Sequence, residues 1–179
     1  MAFDTVTHWV FDLDQTLYPP HMRLFDQIEA KMTAFVVREL GLDPVQANDL
    51  RTRYWAKYGT TLAGLMRHYQ VSPATYLAEV HDVDMSHIPA DPKLAAAIAA
   101  ISGQKIVYPN ADYPYALRVL RQRGLDHLFD AVFGIEDADY VPSPEPFGFH
   151  PALIRDKKIG YTEAENIGVC WNRPSIYAF

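Results

Sequence analysis

The sequence predicts an α/β fold: a parallel sheet core with a helical subdomain inserted after its first strand. Three observations predict it. A short apolar run, Trp9-Val10-Phe11, leads into Asp12 and Asp14 and is then broken by Tyr18-Pro19-Pro20. Residues 19–90 carry helical patterns and no strand pattern. From Asp91 onward, strand and helix patterns alternate, as a parallel sheet requires. The predicted layout is therefore a discontinuous core, 1–18 and 91–179, around a helical block at 19–90.

In chain order, His8 to Phe11 is the first strand. Met22 to Leu40 spaces Leu24, Phe25, Ile28, Met32, Phe35 and Val36 along one helical face, and Gly41 ends it. Asp43-Pro44 starts the next helix, N-cap then first-turn proline, and Gly59 stops it after Tyr58. Thr60 to Tyr69 and Ser72 to about Asp82 read as two more helices. Asp91-Pro92 starts a helix carrying Leu94, Ile98 and Ile101, ended by Gly103. Lys105 to Tyr108 is the second strand, and Asp112 caps a helix from Tyr113 to Arg123, ended by Gly124. Ala131 to Gly134 is a third strand and Glu136 to Tyr140 a polar loop. Beyond Val141 the core reads as irregular or incomplete. Pro142, Pro144, Pro146 and Pro151 break regular structure, with one short strand at Asn166 to Cys170.

Composition narrows the function. With 179 residues, 49% of them apolar, the chain can bury a real core. A net charge of −6 and no dense basic block argue against nucleic acid or a membrane surface as partner. One cysteine, Cys170, allows no internal disulfide. Neither a signal peptide nor a membrane-length apolar run is present, so a soluble cytoplasmic protein is expected. Tyr54, Trp55, Tyr58 and Tyr69 on the helices suit packing, or stacking on a nucleobase. His21, His68, His81 and His87 read as surface or packing residues.

Two carboxylates at a strand's carboxyl end sit where open parallel sheets bind ligands. One can attack an electrophile while the other moves a proton, and together they can hold a hard cation through oxygen. The full string Phe11-Asp12-Leu13-Asp14-Gln15-Thr16-Leu17 resembles motif I of the haloacid dehalogenase (HAD) superfamily of phosphotransfer enzymes. With Tyr18-Pro19 attached it is most similar to the pyrimidine 5'-nucleotidase branch. The resemblance implies a Rossmann-like, HAD-like core with the helical block as a cap over the site. It implies Asp12 as nucleophile, forming an aspartyl-phosphate, and Asp14 as general acid and then base. Mg²⁺ would be held by Asp12 and the main chain of Asp14, offsetting the repulsion between carboxylate and phosphate. Backbone N–H groups from Leu13 through Gln15 to Thr16 would cradle phosphate oxygens. The implied partner is a small phosphorylated metabolite, a pyrimidine nucleoside 5'-monophosphate in this branch.

The other motifs depart from that pattern. Motif II should end its strand in Thr or Ser; here Pro109 stands there, followed by Asn110 as phosphate ligand. Motif III should supply Lys in a Val-Pro-Lys-Pro context; Val141-Pro142-Ser143-Pro144 offers Ser143. Motif IV should complete the Mg²⁺ shell with acids; Trp171-Asn172-Arg173 offers only the neutral oxygen of Asn172. Two functional readings follow: a Mg²⁺-dependent phosphomonoester hydrolase, or a catalytically impaired or decayed relative that binds a phosphorylated ligand or a partner.

Overall fold

The computed structural model describes residues 6–141 and the strand at 167–170. Four strands form one parallel sheet in the order β3-β2-β1-β4, with β1 at His8–Phe11, β2 at Gln104–Val107, β3 at Ala131–Val132 and β4 at Ile167–Cys170. β1 is internal: His8 to Phe11 stand opposite Gln104 to Val107 on one side and Ile167 to Cys170 on the other. The chain runs from β1 outward to β3 and then returns to β1's other flank. That reversal makes the carboxyl end of β1 a topological switch point, where an open α/β sheet has its crevice. The residue immediately after β1 is Asp12.

Alternation along the strands splits the core between two faces. Val10 packs with Ile106, Tyr108, Phe133 and Ala138 on one face. Phe11 and Val107 join the larger cluster on the other, with Ala116, Val119 and Leu120 of α6 (Tyr113–Arg123) and Ile98 of α5 (Pro92–Ala99). That cluster continues through Leu13, Leu17 and Tyr18 into the four helices between β1 and α5.

Those helices are α1 (Leu24–Leu40), α2 (Pro44–Tyr58), α3 (Thr61–Tyr69) and α4 (Pro73–Val80). α1 packs on α2 and α4, and α3 on α2 and α4. Their ends follow the local cap chemistry. Asp43 accepts from the N–H groups of Val45 and Gln46 in a full capping box. Thr60 caps α3 through Ala63 N–H, and Asp91 caps α5 through Leu94 N–H. Gly64 lets α3 lie against α2: a Cβ there would fall 2.3 Å from Cγ of Tyr54.

One face of α6 fastens the returning segment 81–91 to the core. Arg118 donates to the carbonyls of His81 and Val83, and Gln122 to that of Ile88. Arg123 donates to the carbonyls of Leu17 and Pro89 and to the Asp91 carboxylate.

Several boundaries differ from the sequence expectation. The helix expected from Met22 begins at Leu24, because Arg23 adopts a left-handed φ of 54° after a 3₁₀ turn at Pro20–Met22. α4 ends at Val80 and α5 at Ala99, each about two residues early. Regular pairing in β3 covers only Ala131–Val132, although Phe133 N–H still reaches the Val107 carbonyl. The polar loop expected at Glu136 to Tyr140 is a 3₁₀ turn, Ile135–Ala138, whose Ile135 and Ala138 are buried in the two core clusters. Among the described residues no helix is long and apolar enough to cross a membrane.

Candidate functional site

Asp12 and Asp14 leave the carboxyl end of β1 in a tight turn. Leu13 supplies its pivot: its side chain is fully buried, and its carbonyl accepts from the N–H groups of Thr16 and Leu17. Gln15 takes a left-handed φ of 57°, a conformation disfavoured for a residue with a Cβ and found where the surroundings enforce it.

Asp12 is buried. Its Oδ2 accepts a 2.9 Å hydrogen bond from the Thr16 hydroxyl, and the dipole of the adjacent Leu13 N–H favours the ionised carboxylate. Burial, and then the charge of Asp14, push its pKa up to about 7; Thr16 and Leu13 oppose the rise without cancelling it. One of the N–H groups expected to cradle phosphate, that of Thr16, is thus engaged inside the turn on the Leu13 carbonyl.

Asp14 keeps some accessible surface although protein surrounds it. Its Oδ1 accepts 2.7 Å hydrogen bonds from both the Tyr18 and the Tyr115 hydroxyls. Burial raises its pKa; the two tyrosine donors, and then the nearby His81, work against that rise. Both tyrosine hydroxyls are driven well above their usual range by burial and by the Asp14 charge, so they act as donors.

Asn110 lies at the same end of the sheet, since Tyr108 N–H continues the ladder to the Phe11 carbonyl. It is exposed, and Pro109 before it is buried. Ser143 and Asn172 lie outside the described residues. Among those residues no third His, Cys, Asp or Glu joins the aspartates in a metal-holding group. An open cavity of about 530 Å³ is lined by Tyr113, Ala131, Val132, Phe133, Glu136 and Asp137; neither Asp12 nor Asp14 lines it.

Sequence reasoning missed Tyr115 and His81. Tyr115 is 101 residues from Asp14, and only the fold reveals the contact. His81, expected as a surface or packing residue, takes the packing role, buried with its ring stacked on Tyr115 at 4.3 Å. Its Nδ1 lies 3.2 Å from the Asp112 carboxylate, close enough for an ion pair but out of line for a hydrogen bond. Tyr54 stacks on His68, and Tyr58 bonds His68 through its hydroxyl at 2.7 Å, while Trp55 and Tyr69 stay exposed.

A parallel sheet with this order, a helical block after β1 and paired aspartates at the switch point define a HAD-like fold. One solved structure agrees in fold. The HAD-hydrolase YfnB of Bacillus subtilis, bound to magnesium, superposes with a TM-score of 0.51 at 15% identity, covering 92% of this chain and 78% of that one. L-2-haloacid dehalogenase of Xanthobacter autotrophicus gives a TM-score of 0.44 at 17% identity over 92% and 69% of the two chains. Among curated proteins, Phosphate metabolism protein 8 of Saccharomyces cerevisiae (strain ATCC 204508 / S288c) is 21% identical over 169 residues, 86% of this chain and 53% of that protein. The chain therefore spans about half the length of that relative. No family model matches the chain.

Proposed function

We propose that the chain is a Mg²⁺-dependent phosphomonoester hydrolase of the HAD type, acting on a pyrimidine nucleoside 5'-monophosphate. One observation carries the reading: Asp12 and Asp14 stand together at the carboxyl end of the internal strand, on a HAD-like fold. In this reading Asp12 attacks phosphorus and forms an aspartyl-phosphate. Asp14 gives a proton to the leaving alkoxide and then takes one from the attacking water. The helical block at 19–90 is a cap that selects the leaving group, and residues 1–18 with 91–179 form the core.

The donor set suits a hard divalent ion. Asp12 and the main-chain carbonyl of Asp14 would hold Mg²⁺, whose charge would favour the ionised carboxylate against the burial and the Asp14 charge that raise its pKa. When bound it offsets the repulsion between nucleophile and phosphate. Ser143 and Asn172 remain proposed as phosphate ligand and metal ligand, and Asn110 as a second phosphate ligand.

Pro109 favours a second reading. It ends the β2 region without hydroxyl or N–H, and loss of one transition-state donor slows a reaction by about 10²–10³. A catalytically impaired relative would use the same cleft only to bind a phosphorylated ligand or partner. Turnover of uridine and cytidine 5'-monophosphates, compared with adenosine 5'-monophosphate and p-nitrophenyl phosphate, separates the readings. The hydrolase reading expects release from all four with the pyrimidines preferred. Binding of the nucleotides without release favours the impaired relative.

A further inference from the structure

Asp14 is fixed through one oxygen. Both tyrosine hydroxyls converge on Oδ1 at 2.7 Å, while Oδ2 has no hydrogen-bond partner among the described residues. The two hydroxyls lie 3.5 Å apart, so they approach Oδ1 from adjacent directions. A carboxylate held this way cannot rotate about its Cβ–Cγ bond without breaking two short bonds at once.

Tyr115 is itself immobilised at three places. Its N–H bonds Oδ1 of Asp112, the cap of α6, at 3.0 Å. Its ring lies nearly parallel to the His81 ring, 19° off plane at 4.3 Å. Its hydroxyl is the Asp14 donor. The ring of His81 is anchored in turn through its main chain, whose N–H bonds the Leu77 carbonyl and whose carbonyl accepts from Arg118. Tyr18 comes from the motif turn itself, four residues after Asp14. The carboxylate is therefore clamped between its own loop and α6, with the chain leaving α4 as backing.

We propose that Tyr115, with Tyr18, is a positioning residue that holds Oδ1 of Asp14 so that Oδ2 is the oxygen meeting the leaving group, and that His81 keeps Tyr115 in place. This rests on the phosphatase reading. In the leaving-group step a loosened acid harms only substrates whose leaving group needs a proton, because catalytic geometry a fraction of an ångström off is heavily penalised; the later hydrolysis of the aspartyl-phosphate, with Asp14 as base, is common to all substrates. Nitrophenolate departs unprotonated, whereas a nucleoside alkoxide does not.

The test is Tyr115→Phe, which keeps the stacked ring and removes only the hydroxyl. We expect the single-turnover rate of uridine release from uridine 5'-monophosphate to fall about tenfold or more, and that of nitrophenolate release from p-nitrophenyl phosphate to fall much less, since these rates read the leaving-group step alone. In an Asp14→Asn background the same change should add nothing further. Tyr18→Phe should repeat the pattern, and it decides the matter if thermal unfolding shows Tyr115→Phe to be misfolded. Equal losses on both substrates, or an additive loss in the Asp14→Asn background, overturn the positioning role and leave the phosphatase reading standing. Absence of turnover by the unaltered chain on both substrates removes the phosphatase reading, and the positioning role with it.

Discussion

Arg123 reaches Asp91 at 2.6 Å from a guanidinium that is almost wholly buried. The same side chain donates to the carbonyls of Leu17, where the chain leaves the sheet, and Pro89, where it returns. Asp91, in turn, caps α5. One planar cation thus joins both crossings between the sheet and the helical block to α6.

Arg123→Met should therefore be among the most damaging substitutions outside the site. It strands two carbonyls and a carboxylate, and should lower stability by about 2–4 kcal/mol. Arg123→Lys should recover only part, since a single ammonium cannot serve three acceptors in the guanidinium's plane. Urea unfolding measures both; a loss below about 1 kcal/mol for the Met variant would show that the joint is not a stabilising one.

Asp12 predicts a specific pH dependence of stability. Its carboxyl ionises near 3.8 in the unfolded chain and at about 7 in the folded one. Between those values the folded state binds more protons, so stability falls as pH rises, and the loss is complete above the folded value. With chelator present, Asp12→Asn should exceed the unaltered chain by on the order of 2–4 kcal/mol at about pH 8, and by little near pH 4. A difference that does not change with pH would contradict the burial of Asp12 beside Asp14.

Gly64 is required by contact rather than by backbone conformation. Alanine is the better helix former by about 1 kcal/mol, yet its Cβ would meet the Tyr54 ring at 2.3 Å. Gly64→Ala should lose about 1–3 kcal/mol in chemical unfolding. A gain in stability would mean that α2 and α3 do not approach as closely as described.

Pro109 predicts a gain-of-function variant. Pro109→Thr places a hydroxyl at the carboxyl end of β2, next to Asn110, and should raise kcat about tenfold or more. A folded variant with unchanged kcat would show that this donor does not limit the rate.

Where chemistry is local, the sequence was legible. Asp112 and Gly124 bracket α6 at the residues expected, as Asp43 and Gly59 bracket α2, because a cap and a terminating glycine act within one turn. β1 was equally plain, since apolar residues end abruptly in acids. Tyr115 was not legible, because nothing near it in sequence signals a carboxylate 101 residues away. His81 was read as a surface or packing residue; which of the two it is, and that it packs on Tyr115, follows only from α6 lying against it. The 3₁₀ turn at Ile135–Ala138 was hidden by Glu136 and Asp137, whose charges mask the buried Ile135 and Ala138 on either side.

Phosphate release from uridine 5'-monophosphate, with Mg²⁺, with chelator, and with Asp12→Asn, decides whether Asp12 is a nucleophile on phosphate. Release should require Mg²⁺ and disappear in the Asp12→Asn variant. Release that survives chelator or the Asp12→Asn change, or none above the Asp12→Asn background with Mg²⁺ present, would contradict that role.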